Sequence, residues 1–184
     1  IPVGSRANSK ACRPDVLGSD VLGMTDTIAL VTGANGGLGT HVTRALLEAG
    51  YVVAGLAPNI KQSDFDHPRF TAIASKLESL DGAKGGVDML VSRFGKIDIL
   101  AHLVGGFAGG PSIAETDDIT FQRMFELNVN SAFHIIRAVL PHMRKAGVGR
   151  IIAIGSRAAE TPGAGVGAYS ASKSALLSMV RTVA

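Results

Sequence analysis

From residue 28 onward, short and almost wholly apolar runs alternate with longer stretches in which apolar residues recur at helical spacing. The runs are Ile28 to Val31, Val52 to Leu56, Ile97 to Val104 and Ile151 to Ile154, with Phe70 to Ile73 a weaker fifth. Near-continuous Val, Ile, Leu and Ala is what a strand covered on both faces requires, so these segments predict strands of a parallel sheet. Between the first two, Leu38, Val42, Ala45, Leu46 and Ala49 share one helical stripe that Gly50 stops. Strand, turn, helix and strand repeat along the chain. That order predicts an α/β fold, a three-layer doubly wound domain whose mostly parallel β-sheet is flanked by helices on right-handed crossovers.

The later segments carry more mixed signals. Gly82, Gly85 and Gly86 interrupt Ser75 to Phe94, which predicts a helix only in its second half, where Val87, Leu90, Val91 and Phe94 resume the stripe. Thr116 to Lys145 predicts a long helix that turns Phe121, Met124, Phe125, Phe133, Ile136 and Leu140 to the core, bent near Asn128 and again at Pro141. The Gly-, Ala- and Pro-rich stretch Ala158 to Gly167 predicts a loop before a final helix. Neither an internal repeat nor a second domain is visible, so residues 24 to 184 read as one domain.

Residues 1 to 23 read as an N-terminal extension outside the fold. Met24 stands just before the first strand; it is a natural start, an ordinary internal methionine, or the end of a transit segment. Arg6, Lys10 and Arg13 are diluted by Asp15 and Asp20, and no apolar core of a secretion signal follows them. Over all 184 residues, 46% are hydrophobic and 18% charged, which excludes disordered and fibrous classes. The net charge is only +3 and the longest basic run is Arg144-Lys145, so nucleic acid is not expected as a partner. The lone Cys12 forms neither an internal disulfide nor a Cys-rich metal site, and no uninterrupted apolar stretch has the length of a membrane span. A cytoplasmic protein without metal or membrane is expected.

Directly after the first strand comes Thr32-Gly33-Ala34-Asn35-Gly36-Gly37-Leu38-Gly39, which opens the first helix. A turn in that place aims backbone N–H groups and the positive end of the helix dipole at a pyrophosphate, and missing Cβ atoms allow close approach. Dinucleotide binding is the reading, with Gly33, Asn35, Gly36, Gly37, Leu38 and Gly39 as contacts. A carboxylate at the end of the second strand would select NAD, but Gly55-Leu56-Ala57-Pro58-Asn59 stands there and Lys61 is the nearest cation. NAD and NADP both remain open.

Near the C-terminus, Tyr169-Ser170-Ala171-Ser172-Lys173 places Tyr169 and Lys173 at i and i+4 on one helix face. A phenol, with a reference pKa of about 10, becomes a usable acid–base when a neighbouring ammonium stabilises its phenolate. With seven Lys and two Tyr in the chain, this spacing is expected by accident about 0.08 times. Ser156, thirteen residues before Tyr169, ends the strand at the sheet edge where such folds bind ligands.

Together, Thr32-Gly33-x-x-x-Gly37-x-Gly39, Leu127-Asn128-Val129, the strand ending at Ser156, and Tyr169-x-x-x-Lys173 resemble the short-chain dehydrogenase/reductase family over about residues 26 to 184. The resemblance implies a Rossmann domain that moves a hydride between a nicotinamide and a small-molecule alcohol or ketone, with a 3-oxoacyl thioester among the candidates. It implies Tyr169 as general acid and base, Lys173 on the nicotinamide ribose, Ser156 orienting the substrate oxygen, and Asn128 holding a water that relays protons towards Lys173. Ala57 and Gly105 fall on cofactor-lining positions.

The chain departs from the family pattern around the adenosine end. His102-Leu103-Val104-Gly105-Gly106 replaces an Asn-Asn-Ala-Gly turn, Ala74-Ser75 stand where an adenine-contacting Asp is usual, and Ala57 is uncharged. His102 has no nearby ligand cluster in sequence, so a structural role is expected. Gly105 to Gly110 predicts a pliable wall near the active site. The chain stops within the helix carrying Lys173, which implies a C-terminally incomplete domain; the full-length form is expected to be a homo-oligomer. A nucleotide-binding but inactive module is the alternative to an active enzyme.

Overall fold

The computed structural model describes residues 26–183; the expected extension 1–23 and the start at Met24 lie outside them. Five strands, β1 (Ile28–Thr32), β2 (Val52–Ala57), β3 (Phe70–Ala74), β4 (Ile99–His102) and β5 (Arg150–Ala153), form one sheet in the order β3-β2-β1-β4-β5. Every pairing is parallel. Thr32 pairs with Leu56 on one side and His102 on the other, and His102 pairs with Ala153, so the strands end together along one edge. The direction of the crossovers reverses between β1 and β4, and such reversals leave a crevice at the carboxyl ends of the strands.

Alternation along the strands builds two apolar layers. Leu30, Leu56 and Leu100 face α2 (Leu80–Phe94) and α4 (Ser131–Ala146), burying Leu90 and Ile135 among them. Val31, Val53 and Ala101 face the other way, towards Leu47 of α1 (Gly37–Glu48). Each fully buried Leu or Ile in these layers contributes roughly 1.5–3 kcal/mol relative to exposure. The β2-to-β3 connection has no α-helix. Residues 58–69 form a loop with a short 3₁₀ turn, Gln62–Asp64, and Ile60 and Phe65 fill the space a helix would cover, the Phe65 and Phe70 rings meeting at 4.7 Å.

Several expectations are corrected. The buried face of α1 runs through Gly39, Thr43 and Leu47, one position on from the predicted stripe, and Leu38 is 50% exposed. The reason is that α1 approaches the sheet through Gly39, where any side chain would collide with the Gly33 carbonyl. Helix α2 starts at Leu80, well before the predicted second half, and runs through all three glycines; Ser79 caps it by accepting from Gly82 N. Gly82 and Gly86, one turn apart, sit against Lys76 O and Leu56 Cδ1, so close packing outweighs their poor helix propensity. The long helix is divided into α3 (Asp118–Phe125), a π-helical turn (Glu126–Asn130) and α4, so the bend at Asn128 is one widened turn, while α4 continues through Pro141. Phe121 and Phe133 are exposed at 43% and 47% and are not core residues. Nor is β5 covered on both faces: it is one of the two edge strands of the described sheet, and Ile152 is 51% exposed.

Candidate active site

The turn after β1 is dictated by two glycines. Gly33 has φ 66°, a region that residues with side chains seldom enter, and its amide donates to Leu56 O at 2.8 Å. Gly39 closes the turn against the Gly33 carbonyl. Gly36 stands at the N-cap of α1, so the amides of the following turn, from Gly37 onward, have no carbonyl partner within the helix. A Cβ on Gly37 would meet no protein atom within 4 Å; Asn35 and Leu38 are also exposed. Free donors, the helix dipole and an open approach fit a pyrophosphate.

Next to this turn, the ends of β2 and β3 and the segment after β4 open into a cavity of about 710 Å³. Leu56, Ala57, Leu77, Val104, Ile119 and Leu127 give it apolar walls. That volume suits a nucleoside-sized group. Ala57 and Ser75 line it without a charge, while Lys76, Glu78, Arg123 and Glu126 stand elsewhere around it.

His102, at the end of β4, is 1% exposed and lies under this edge. Its Nδ1 is 2.8 Å from Thr32 Oγ1, which accepts from Leu103 N at 3.2 Å; its Nε2 is 3.4 Å from Ser131 Oγ, which donates to Leu127 O. These partners fit a neutral ring protonated on Nε2, with Thr32 donating to Nδ1. Burial, followed by the nearby Lys173 ammonium, pushes the His102 pKa down to about 4. The histidine ring links β4 to β1 through Thr32 and to the first residue of α4 through Ser131.

Helix α5 (Gly167–Arg181) carries Tyr169 and Lys173 one turn apart. The Lys173 Nζ donates to Ile154 O at 2.8 Å, tying α5 to the residues just after β5, and burial pushes its ammonium below the ordinary lysine range. Two residues past Ile154, Ser156 accepts from Ala158 N at 3.2 Å and caps the short turn Arg157–Ala159. Accepting that bond leaves the hydroxyl proton to be donated. Ser174 donates to Ala159 O at 2.8 Å, a second tie between this loop and α5. The phenol of Tyr169 is half-buried and meets the Phe107 ring edge-on, with centroids 4.9 Å apart. Phe107 lies on the predicted glycine wall, which Gly110 joins to the loop before α5 by donating to Gly165 O at 2.8 Å.

Asn128 is fully buried in the π-helical turn, where its amide joins the loop after β4 to α5. Its Oδ1 accepts from Gly106 N and its Nδ2 donates to Gly106 O and to Ser172 Oγ, each at 3.0 Å. Ser172 in turn donates to Tyr169 O at 2.8 Å. Both amide hydrogens are thus committed to protein partners. Gly105 fits between Asn128 and Lys173, since a Cβ there would come within 2.7 Å of Asn128 Oδ1 and 3.4 Å of Lys173 Nζ.

Asn128, Gly105, Lys173 and Ile154, just before Ser156, are thus drawn to one place, while Gly33 to Gly39 and Ala57 stand along the same strand edge. Ser172 was not singled out from sequence, although it stands inside the Tyr-x-x-x-Lys segment; its complete burial is visible only in the fold. Fold and site define an α/β domain with a glycine turn and a Tyr–Lys pair along the carboxyl edge of one parallel sheet.

Comparison with known proteins agrees. The family model for short chain dehydrogenases matches residues 27–184. The chain is 31% identical over 180 residues to the 7alpha-hydroxysteroid dehydrogenase of Escherichia coli K12, covering 90% of this chain and 67% of that one. It is 35% identical over 170 residues to the putative oxidoreductase YtkK of Bacillus subtilis, covering 85% and 66%. A solved short-chain dehydrogenase from Streptomyces avermitilis superposes with TM-score 0.79 at 29% identity, over 88% of this chain and 61% of that one. ElxO, solved with NADP bound, shares the fold with TM-score 0.79 at 20% identity, over 84% and 65%. The chain belongs to the short-chain dehydrogenase family, whose members are NAD(P)-dependent oxidoreductases. It spans about two thirds of the length of these relatives or somewhat less.

Proposed function

We propose that this chain carries the cofactor site and the acid–base machinery of an oxidoreductase acting between NAD or NADP and an alcohol or carbonyl carbon of a small molecule. The observation that carries the reading is the Lys173 clamp: its bond to Ile154 O sets the helix bearing Tyr169 against the loop bearing Ser156. The cofactor, when bound, supplies or accepts the hydride. Gly37, Leu38 and Gly39 would hold its pyrophosphate and the recess beside Ala57 its adenosine. Tyr169 donates a proton to the substrate oxygen in reduction and removes it in oxidation, Ser156 donates a hydrogen bond to that oxygen, and Lys173 holds positive charge and a ribose contact beside them. Asn128 positions Tyr169 and Lys173 through Ser172 and Gly106. A binding-only module has no need for this set, which favours the active enzyme.

Fluorescence titration with NADH and NADPH, followed by turnover assays on a panel of ring ketones and 3-oxoacyl thioesters, tests the reading. The E. coli relative, by its name, acts on a hydroxysteroid, so steroid alcohols belong in the panel. Tyr169→Phe should abolish turnover while cofactor affinity stays within a few fold, because the phenol acts in proton transfer; retained turnover would overturn the assignment.

The reading includes a cytoplasmic setting and association of copies of the chain. Among the described residues no helix is long and apolar enough to cross a membrane, and Ile119, Phe121 and Phe133 are exposed on α3 and α4. Cell fractionation and light scattering test these two points.

A further inference from the structure

An acidic residue, Asp64, stands seven residues beyond the end of β2. Ala57 closes that strand without a charge, and Pro58 and Asn59 follow. The chain then doubles back instead of entering a helix. Ile60 and Phe65, each 5% exposed, anchor the doubled-back segment on both sides: Ile60 fills the space a side chain on Gly55 would need, and Phe65 packs on Phe70. Between these anchors, Asp64 Oδ2 accepts from Lys61 N at 3.0 Å, and Asp64 N donates to Lys61 O at 3.1 Å. The same Oδ2 accepts from Asn35 Nδ2 at 3.4 Å, and Asn35 belongs to the glycine turn itself.

Asn35 sits between Gly33 and Gly37, beside the amides that would hold a pyrophosphate. A carboxylate against Asn35 would border the adenosine ribose, the next group along the dinucleotide. We propose that Asp64 is the specificity-determining residue for the cofactor, accepting hydrogen bonds from the ribose hydroxyls and repelling a 2′-phosphate, so that the protein takes NAD(H) in preference to NADP(H). The inference rests on the cofactor reading given above. Lys61 is the competing charge, three residues away on the exposed side of the same turn. Lys76, near the end of β3, stands 3.9 Å from Glu78.

Paired fluorescence titrations with NADH and NADPH at one fixed salt concentration test this. Wild-type protein should bind NADH about tenfold more tightly, the discrimination that about 1.4 kcal/mol of repulsion supplies. Asp64→Asn, which keeps a side-chain oxygen for Lys61 N, should bring the two affinities to within about threefold, mainly by tightening NADPH, and Lys61→Ala should leave the preference in place. Circular dichroism verifies that the variants are folded. A wild-type preference for NADPH, or a ratio unmoved by Asp64→Asn, overturns the role of Asp64 while leaving the cofactor site standing. Failure of folded wild-type protein to bind either cofactor overturns the cofactor reading itself and this inference with it.

Discussion

Asn128 is hydrogen-bonded through both ends of its amide to a single residue, Gly106, at 3.0 Å each way. Its backbone lies in the π-helical turn between α3 and α4, so the bond pair locks the loop after β4 to the helical layer. Through Ser172 the same amide reaches the carbonyl of Tyr169. The side chain is a brace between three elements, and its commitments bear on the proton-relay role that the family resemblance implies. Any water near it must be held by the remaining lone pair of Oδ1 or by the backbone.

Removing that brace should cost stability and geometry together. Asn128→Ala leaves the part-buried Gly106 N–H and C=O without their partner, with an expected loss of about 1–3 kcal/mol in urea unfolding. Turnover should fall far more than cofactor affinity, because Tyr169 and Lys173 lose their register with the loop. Equal losses in turnover and binding would point to general unfolding of the site.

Two glycines separate packing from ligand room. At Gly105 a Cβ would press on Asn128 Oδ1 at 2.7 Å and lie 3.4 Å from Lys173 Nζ, so Gly105→Ala should lower kcat and stability. At Gly37 a Cβ meets no protein atom within 4 Å, so Gly37→Ala should leave the unfolding midpoint unchanged or slightly raised while weakening cofactor binding. If Gly37→Ala binds cofactor as well as wild type, the pyrophosphate does not lie against that turn.

The buried His102 predicts a pH dependence of stability. Its pKa in the folded protein is about 4 against an ordinary 6.5, so the unfolded chain binds the extra proton first as pH falls. The stability tied to the neutral ring is fully present above pH about 6.5 and is lost progressively towards pH 4, by up to roughly 3 kcal/mol. Hydrogen bonds to Ser112 and Thr120 also hold the Glu115 and Asp117 carboxyls below their ordinary range, and these exposed groups titrate at the lower end of the scale. Urea midpoints measured between pH 7 and pH 4.5 should therefore fall in wild type and much less in His102→Gln. Parallel curves would show that His102 is not the group responsible.

The parallel sheet could be read from five apolar runs, and all five became strands, although only β1 and β2 are buried along their whole length. Errors gathered where close packing mattered more than periodicity. The buried stripe of α1 shifted by one residue because Gly39 lets the helix touch the turn, and α2 absorbed three glycines for a similar reason. Phe121 and Phe133 matched a helical stripe yet lie exposed, since spacing tells which residues share a face and not which face meets the core.

The sequence by itself determined the strand–turn–helix order, the glycine turn, and the Tyr169 and Lys173 pair, because each depends on contacts between residues a few positions apart. Only the tertiary structure decided that Lys173 fastens to Ile154, that Asn128 grips Gly106 across 22 positions, and that Asp64 returns across 29 positions to Asn35. Those pairings depend on where loops close over the ends of the sheet. Loop closure follows from packing of Ile60, Phe65 and the π-helical turn, and no periodicity along the chain encodes it.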